Sequence, residues 1–238
     1  MKIAIYTANF GGYDKIVPPF YTDGDVDYYY ISDDKPTLRN AEEKGWTALY
    51  VGEVKHGITD PRRLSRYWHI QSMLTLGQQY AFAIQHGANI QLKMPPAALI
   101  DKYLEGSYAT YGEHSTRLKH DVAVFKHPHR KTINQEMDAC FRMDKDTIGN
   151  MEPQLSRYDR EGFPQNIFSL SACMLVLWRH CDRVRNFQND WWNEVKNGSV
   201  REQLSFDYVR WKHPEVRVNF MPGDPFTSPI IAYKQHKG

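Results

Sequence analysis

The chain has 238 residues, 41% of them hydrophobic and 13% aromatic, which supports one sizeable core and excludes wholesale disorder. Lysine and arginine number 30 against 28 aspartates and glutamates, and the formal charge of +2 excludes a histone-like polycation while permitting an anionic ligand. Three scattered cysteines, Cys140, Cys173 and Cys181, form no Cys-x-x-Cys pair and argue against a disulfide framework or a zinc ribbon.

The opening residues, MKIAIYTANF, carry one lysine and turn polar within ten residues, unlike a secretory leader. No apolar run reaches membrane-spanning length, so no membrane segment is expected and the expected compartment is the cytoplasm. Lys2 to Tyr6 reads as a buried first strand ending in the glycine-marked loop Thr7-Ala8-Asn9-Phe10-Gly11-Gly12-Tyr13. Val26 to Ser32 reads as a second strand, stopped by Asp33-Asp34-Lys35-Pro36, and Trp46 to Val51 as a third. Asp60-Pro61 opens a helix expected to run to about Tyr80, with Arg62, Arg66 and His69 on one face. Ala81 to Leu92 reads as strand, loop and strand around Gly87, and Asp121 to Phe125 as a further strand.

A helix is expected from about Asn134 to Asn150, with Met137, Cys140, Phe141 and Ile148 on its apolar side. Cys173 to Trp178 is nearly continuous in apolar residues and reads as a central strand. Two more helices follow, near Cys181–Val195 and Arg201–Trp211, the second turning Leu204, Tyr208 and Trp211 inward. No repeat or low-complexity linker divides the chain, so residues 1–238 read as a single α/β domain. In such folds ligands collect at the carboxyl ends of the strands.

Several groups fall in such loops. The first loop, with Thr7, Ala8 and Asn9, suits a base and ribose, although a plain tight turn has the same pattern. The arginine face after Asp60 suits a diphosphate, because guanidinium groups pair bidentately with phosphate oxygens; a solvated helix face is the alternative. Asp33 and Asp34 suit ribose hydroxyls or a cation, and equally a turn. His127 and Arg130, in the basic run Lys126 to Lys131, suit an acceptor or a leaving phosphate. His114, His120, His127 and His129 lack a carboxylate or cysteine at ligand spacing and do not make a metal site. Glu202, opening the last helix, suits a base toward an acceptor hydroxyl, though an acid there also simply favours the helix dipole.

Taken in order, YTANFGGYDK, DYYYISDD, GWTALYV, DPRRLSRYWHI, GANIQL, FKHPHRKTINQEMDAC, YDREGFPQN and WWNEVKNGSVREQLSFDYVRWK resemble the plant mucilage-type glycosyltransferase-like family. The last segment is the most specific, with paired tryptophans, Gly-Ser, and then arginine, acid, glutamine and Leu-Ser-Phe. The resemblance implies a GT-A (Rossmann-like) nucleotide-diphospho-sugar transferase fold, a mixed central sheet flanked by helices. It implies sugar transfer from a nucleotide sugar, UDP-linked by preference, to an acceptor hydroxyl. It places the nucleotide against Thr7, Ala8 and Asn9 with Asp33 beside it, and the donor near Arg63, Arg66 and His69. Glu202 and Gln203 stand at the family's Asp-Gln, and Gly87-Ala88-Asn89 at its Asp-Ala-Asn metal motif. His127 and Arg130 belong to the family's His-Pro-x-Arg.

Three departures break that pattern: Gly87 for the metal aspartate, His69 for a lysine, and Gln85-His86 for an apolar pair. A Mn2+ or Mg2+ ion would then depend on Asn89, His86 or His236. Otherwise Arg63, Arg66 and His69 would stabilise the leaving group without one, or binding would survive without transfer. The acceptor stays open between a glycan and a hydroxymethylated base in DNA, and a nucleotide-sugar-binding module without catalysis is the third reading.

Overall fold

A computed structural model describes residues 2–22, 24–52, 57–77, 79–111, 114–165 and 168–234, with the backbone alone at 107–111 and 114–117. The first strand, β1 (Ile3–Ala8), is buried along its whole length, as a strand covered on both faces must be. It pairs in parallel with β2 (Val26–Ser32), and β2 in turn with β3 (Thr47–Tyr50). Between them lies α1 (Lys35–Glu43), where the sequence suggested only a stop. Asp34 accepts a hydrogen bond from the Thr37 N–H at 2.7 Å and Pro36 sits in the first turn, so Asp-Lys-Pro starts a helix here.

The helix expected from Asp60 to Tyr80 is two: α2 (Pro61–Ile70), capped by Asp60, and α3 (Ser72–Leu76). The break falls at Gln71, whose backbone leaves the helical region while its buried amide donates to the Gln188 carbonyl at 3.2 Å. Next come β4 (Phe82–His86), β5 (Ile90–Leu92) and α4 (Pro96–Ile100), which passes into a π-helical turn at Asp101–Glu105. The hairpin β6 (Ser107–Tyr111) and β7 (His114–Leu118) then leads to β8 (Val122–Lys126).

The helix expected from Asn134 to Asn150 is also two, α5 (Ile133–Arg142) and the start of α6 (Ile148–Arg160). Asp144 at φ 51° lies in the left-handed region and ends the first helical run. Cys140 is therefore buried, whereas Phe141 and Ile148 are exposed rather than inward. The remaining elements are β9 (Ser171–Arg179), α7 (Asp182–Asn197), α8 (Gln203–Lys212), β10 (Val218–Met221) and β11 (Ile231–Tyr233). Leu204 and Tyr208 of α8 are buried and Trp211 packs partly against the core, as their spacing predicts.

The central sheet has seven strands in the order β3-β2-β1-β4-β9-β8-β10, with β9 antiparallel to both neighbours and the rest parallel. This is the mixed sheet flanked by helices that the resemblance implied. Alternation along the strands divides the core into two layers. Ala4, Tyr6, Ala83, Val124, Val176 and Trp178 face one layer, which holds residues of α2, α5, α6, α7 and α8. Ile3, Ile5, Ile84, Ala123, Leu175 and Leu177 face the other, which holds residues of α1, α4, β5 and β11.

The register of β8 against β9 shifts between Val124, opposite Val176, and Phe125, opposite Ala172. Such a bulge re-aims side chains at a sheet end. Here it frees Cys173 and Met174, and the Met174 carbonyl accepts the Gly87 N–H at 3.0 Å. The carboxyl ends of β1, β4 and β8 thus meet the amino end of β9 at one edge of the sheet.

Candidate active site

A cavity of about 650 Å³ opens at that edge. Its lining brings together Ala8, Asn9, Arg66, His69, Asn89, His127, Arg130, Glu202 and Gln203, all residues singled out from the sequence. Arg62, Lys145 and Arg201 also face it, so five cationic side chains meet three carboxylates, Asp14, Asp144 and Glu202. The exposed rings of Tyr13 and Phe226 stand at its margin.

The first loop is closed by Asn9, whose amide donates to the Asp14 carbonyl at 3.0 Å and to the Tyr30 hydroxyl at 2.9 Å. Gly11 and Gly12, at φ 67° and 63°, supply two consecutive left-handed residues that a side chain would strain. Thr7 lies outside the lining. Period-two alternation turns its side chain away from Ala8's face, and its buried hydroxyl has no hydrogen-bond partner among the described residues.

On α2 the face predicted by helical spacing is the one presented, with Arg62, Arg66 and His69 toward the cavity. Arg63 lies off that face and is taken up elsewhere. Its guanidinium donates to the carbonyls of Val195, Lys196 and Gly198, capping the carboxyl end of α7. Asp33, at the end of β2, is likewise outside the lining, next to the Asp34 cap. His236 lies outside the described residues.

Arg66 Nε lies 2.7 Å from Glu202 Oε2, close in charge though not aligned as a hydrogen bond. Buried His69 accepts the Ala8 N–H on Nε2 at 3.0 Å, and its backbone carbonyl accepts the Tyr6 hydroxyl at 2.5 Å. Burial first, and then the Arg66 charge, hold its ring neutral by pushing its pKa well down.

The loop leading into α8 is built on Asp146. Its carboxylate accepts from Ser199 Oγ at 2.5 Å, the Val200 N–H at 2.9 Å, the Thr147 N–H at 2.8 Å and Asn150 Nδ2 at 2.8 Å. Gly198 lies against Gln154, and a Cβ there would meet Gln154 Cδ at 2.5 Å. Residues 199–202 are thereby fixed with Arg201 and Glu202 at the cavity wall.

On the opposite wall His127 Nδ1 accepts the N–H groups of His129 and Arg130 at 3.1 and 3.0 Å. The Arg130 guanidinium is bound to Glu136, a carboxylate almost wholly buried. Burial and the adjacent Arg130 charge push the His127 pKa down to about 4. His86, against Trp46 in the other layer and bonded to the Gly87 carbonyl at 2.8 Å, is also pushed down to about 4 by burial.

Together with His180, also at about 4, these rings make stability sensitive to acid. An unfolded imidazole protonates near 6.5, so the neutral rings stabilise the fold fully above that pH and progressively less down to about 4. Asp207, raised by burial to about 6, acts in the opposite sense, and three rings outweigh one carboxyl. The melting temperature is expected to fall steadily between pH 6.5 and 4 in a calorimetric series. A flat profile would show that these rings titrate normally.

A divalent cation does not fit the described residues. Mn2+ and Mg2+ bind hard oxygens, carboxylates above all. At Gly87 there is no side chain, and a Cβ built there would lie 3.0 Å from Asn89 Oδ1. Asn89 Nδ2 is bonded to the Lys234 carbonyl at 3.0 Å, and His86 faces the other layer. Among the described residues no three His, Cys, Asp or Glu side chains converge as ligands.

The sequence did not single out Arg201, Lys145 or Asp146. The one signal for Asp146 was the run Lys-Asp-Thr ahead of Ile148, a helix-start pattern hidden inside the longer helix expected there.

The family model for the TOD1/MUCI70 glycosyltransferase-like domain matches residues 70–227. No curated protein matches the chain. Mouse xyloside xylosyltransferase 1, apo form, is similar at 9% identity and TM-score 0.44, over 92% of this chain and 84% of that one. The apo WbbM bifunctional glycosyltransferase is similar at 11% identity and TM-score 0.47, over 93% of this chain and 39% of that one. A glycosyltransferase involved in glycosylating the major capsid of PBCV-1 is similar at 10% identity and TM-score 0.42, over 95% and 83%. The sheet is mixed and flanked by helices, with a single reversed strand, as the resemblance implied. No helix of the described residues is long and apolar enough to cross a membrane.

Proposed function

The chain belongs to the TOD1/MUCI70 glycosyltransferase-like family, and we propose that it transfers a sugar from a nucleoside diphosphate sugar to an acceptor hydroxyl. The observation that carries this reading is the cationic cavity at the carboxyl ends of β1 and β4. Asn9 and its loop receive the base and ribose, with a uridine the preferred nucleoside. Arg66 and its neighbours receive the diphosphate, whose charge grows as the bond to the sugar breaks. Glu202, beside Arg66, holds a hydroxyl of the transferring sugar or the acceptor in line for reaction. Tyr13 and Phe226 at the margin offer ring faces to an incoming sugar.

A hydroxymethylated DNA base as acceptor has less support. The basic run that suggested it spends His127 and Arg130 on a knot with Glu136 rather than on a phosphate-tracking surface.

The test is a thermal-shift and turnover screen of nucleotide sugars with and without Mn2+. Selective stabilisation by one nucleotide sugar, with release of its nucleoside diphosphate on adding a glycan acceptor, is expected. Stabilisation without release under any condition would leave a binding module, and no stabilisation by any of them would sink the proposal.

A further inference from the structure

Three guanidinium groups and two carboxylates meet at the inner wall of the cavity. Arg66 is matched by Glu202, and Arg130 by Glu136. Arg201 forms no ion pair with a carboxylate among the described residues and only shares the charges of Glu202 and Glu136 with their own partners. It is half-buried at the cavity wall, its Nε is shielded from solvent without a hydrogen bond, and its side chain reaches Gln203 Oε1 at 3.5 Å and lies beside the Cys140 thiol. A guanidinium carries five N–H donors, and buried polar groups are nearly always satisfied. The cluster is therefore one anion short.

The backbone beside it is short of acceptors too. Helix α8 begins at Gln203 with no side-chain cap, and the N–H groups of Glu202 and Gln203 have no acceptor among the described residues. A helix start of this kind adds positive partial charge at the point where Arg201 enters the cavity.

We propose that Arg201 and the start of α8 form an oxyanion subsite that takes the donor's diphosphate and does there what a divalent cation does in a metal-dependent transferase. This rests on the glycosyltransferase reading above. As the acceptor oxygen bonds to the anomeric carbon, the bond from that carbon to the diphosphate oxygen breaks and its electron pair leaves with the diphosphate. The hydroxyl proton passes to Glu202 or to water. The fixed charge of Arg201 stabilises the departing oxygens, and the step needs no oxidant, reductant or ion.

Calorimetric titration of the intact chain in EDTA tests this with inorganic pyrophosphate, a nucleoside diphosphate and the matching nucleoside. Both phosphorylated probes are expected to bind, with Mn2+ changing their affinity by less than about threefold. Arg201→Gln is expected to weaken both by about ten- to hundred-fold and to leave the nucleoside unchanged. Arg201→Lys keeps the charge but loses the fork, so it is expected to weaken them by up to about tenfold, and it carries the comparison if Arg201→Gln does not fold.

Unchanged pyrophosphate affinity in the folded variant, or binding that appears only with Mn2+, would overturn the subsite. Arg201-dependent binding of pyrophosphate without binding of any nucleoside or nucleotide sugar would uphold the subsite and remove the glycosyltransferase reading instead.

Discussion

Glu202→Gln is expected to lower the rate of sugar transfer by about 10²- to 10⁴-fold while leaving donor affinity equal or improved. The carboxylate stands at the start of α8, 2.7 Å from Arg66 Nε and facing the cavity. An amide keeps its size and one acceptor oxygen but not its charge. A hydroxyl held by the carboxylate loses that pull during reaction, which lowers kcat. Arg66 loses its counter-charge and turns more fully to the diphosphate, which holds or lowers KM. Steady-state kinetics separating kcat from KM read both effects. Loss confined to KM would assign Glu202 to ground-state binding, and an unchanged kcat would remove it from the chemistry.

Asp146→Ala is expected to destabilise the fold by about 3–5 kcal/mol, because four donors lose one acceptor at once. Burial works against the charged carboxyl, yet the bonds from Ser199, Asn150 and the two backbone groups outweigh it and hold its pKa below the usual range. For a chain of this size the melting temperature should drop by roughly 10 °C. Denaturant unfolding measures the stability, and donor affinity measured well below the new melting point measures the loop. Asp146 is a positioning residue: it touches no substrate, but Arg201 and Glu202 hang from the segment it holds. Asp146→Asn separates the two effects, since it keeps an acceptor oxygen while setting an amide donor against donors. A loss of less than about 1 kcal/mol in Asp146→Ala would show that water replaces the carboxylate at little cost.

The elements that sequence patterning locates well are those with a single strong period. The continuous apolar runs became β1 and β9, and the i, i+4, i+7 spacing of Arg62, Arg66 and His69 proved to be a real face of α2. Periodicity says where an amphipathic segment lies but not where it pauses. Gln71 and Asp144 each interrupt a run that reads as unbroken, one through a tertiary hydrogen bond and the other through a left-handed backbone. The cavity shows the same division. Residues at strand ends, such as Ala8 and Asn9, were legible because topology alone puts them there, whereas Glu202 lies in the connection between α7 and α8 and was legible as an acid at a helix start. Arg63 and Thr7 were not, since a neighbouring residue on the same element points elsewhere and only packing decides between them. Arg201 was hidden for another reason: what distinguishes it is a partner it lacks, which no sequence pattern displays.

Gly87 carries one more consequence, for the routes by which this chain could change. Any side chain at that position starts 3.0 Å from Asn89 Oδ1, and the Asn89 amide is tied to Lys234 at the end of β11. An aspartate introduced alone would push against a group that cannot swing away without releasing that tie. The two positions are therefore coupled: whether a carboxylate can be accommodated at 87 depends on how far the Asn89 amide can give against its tie to Lys234.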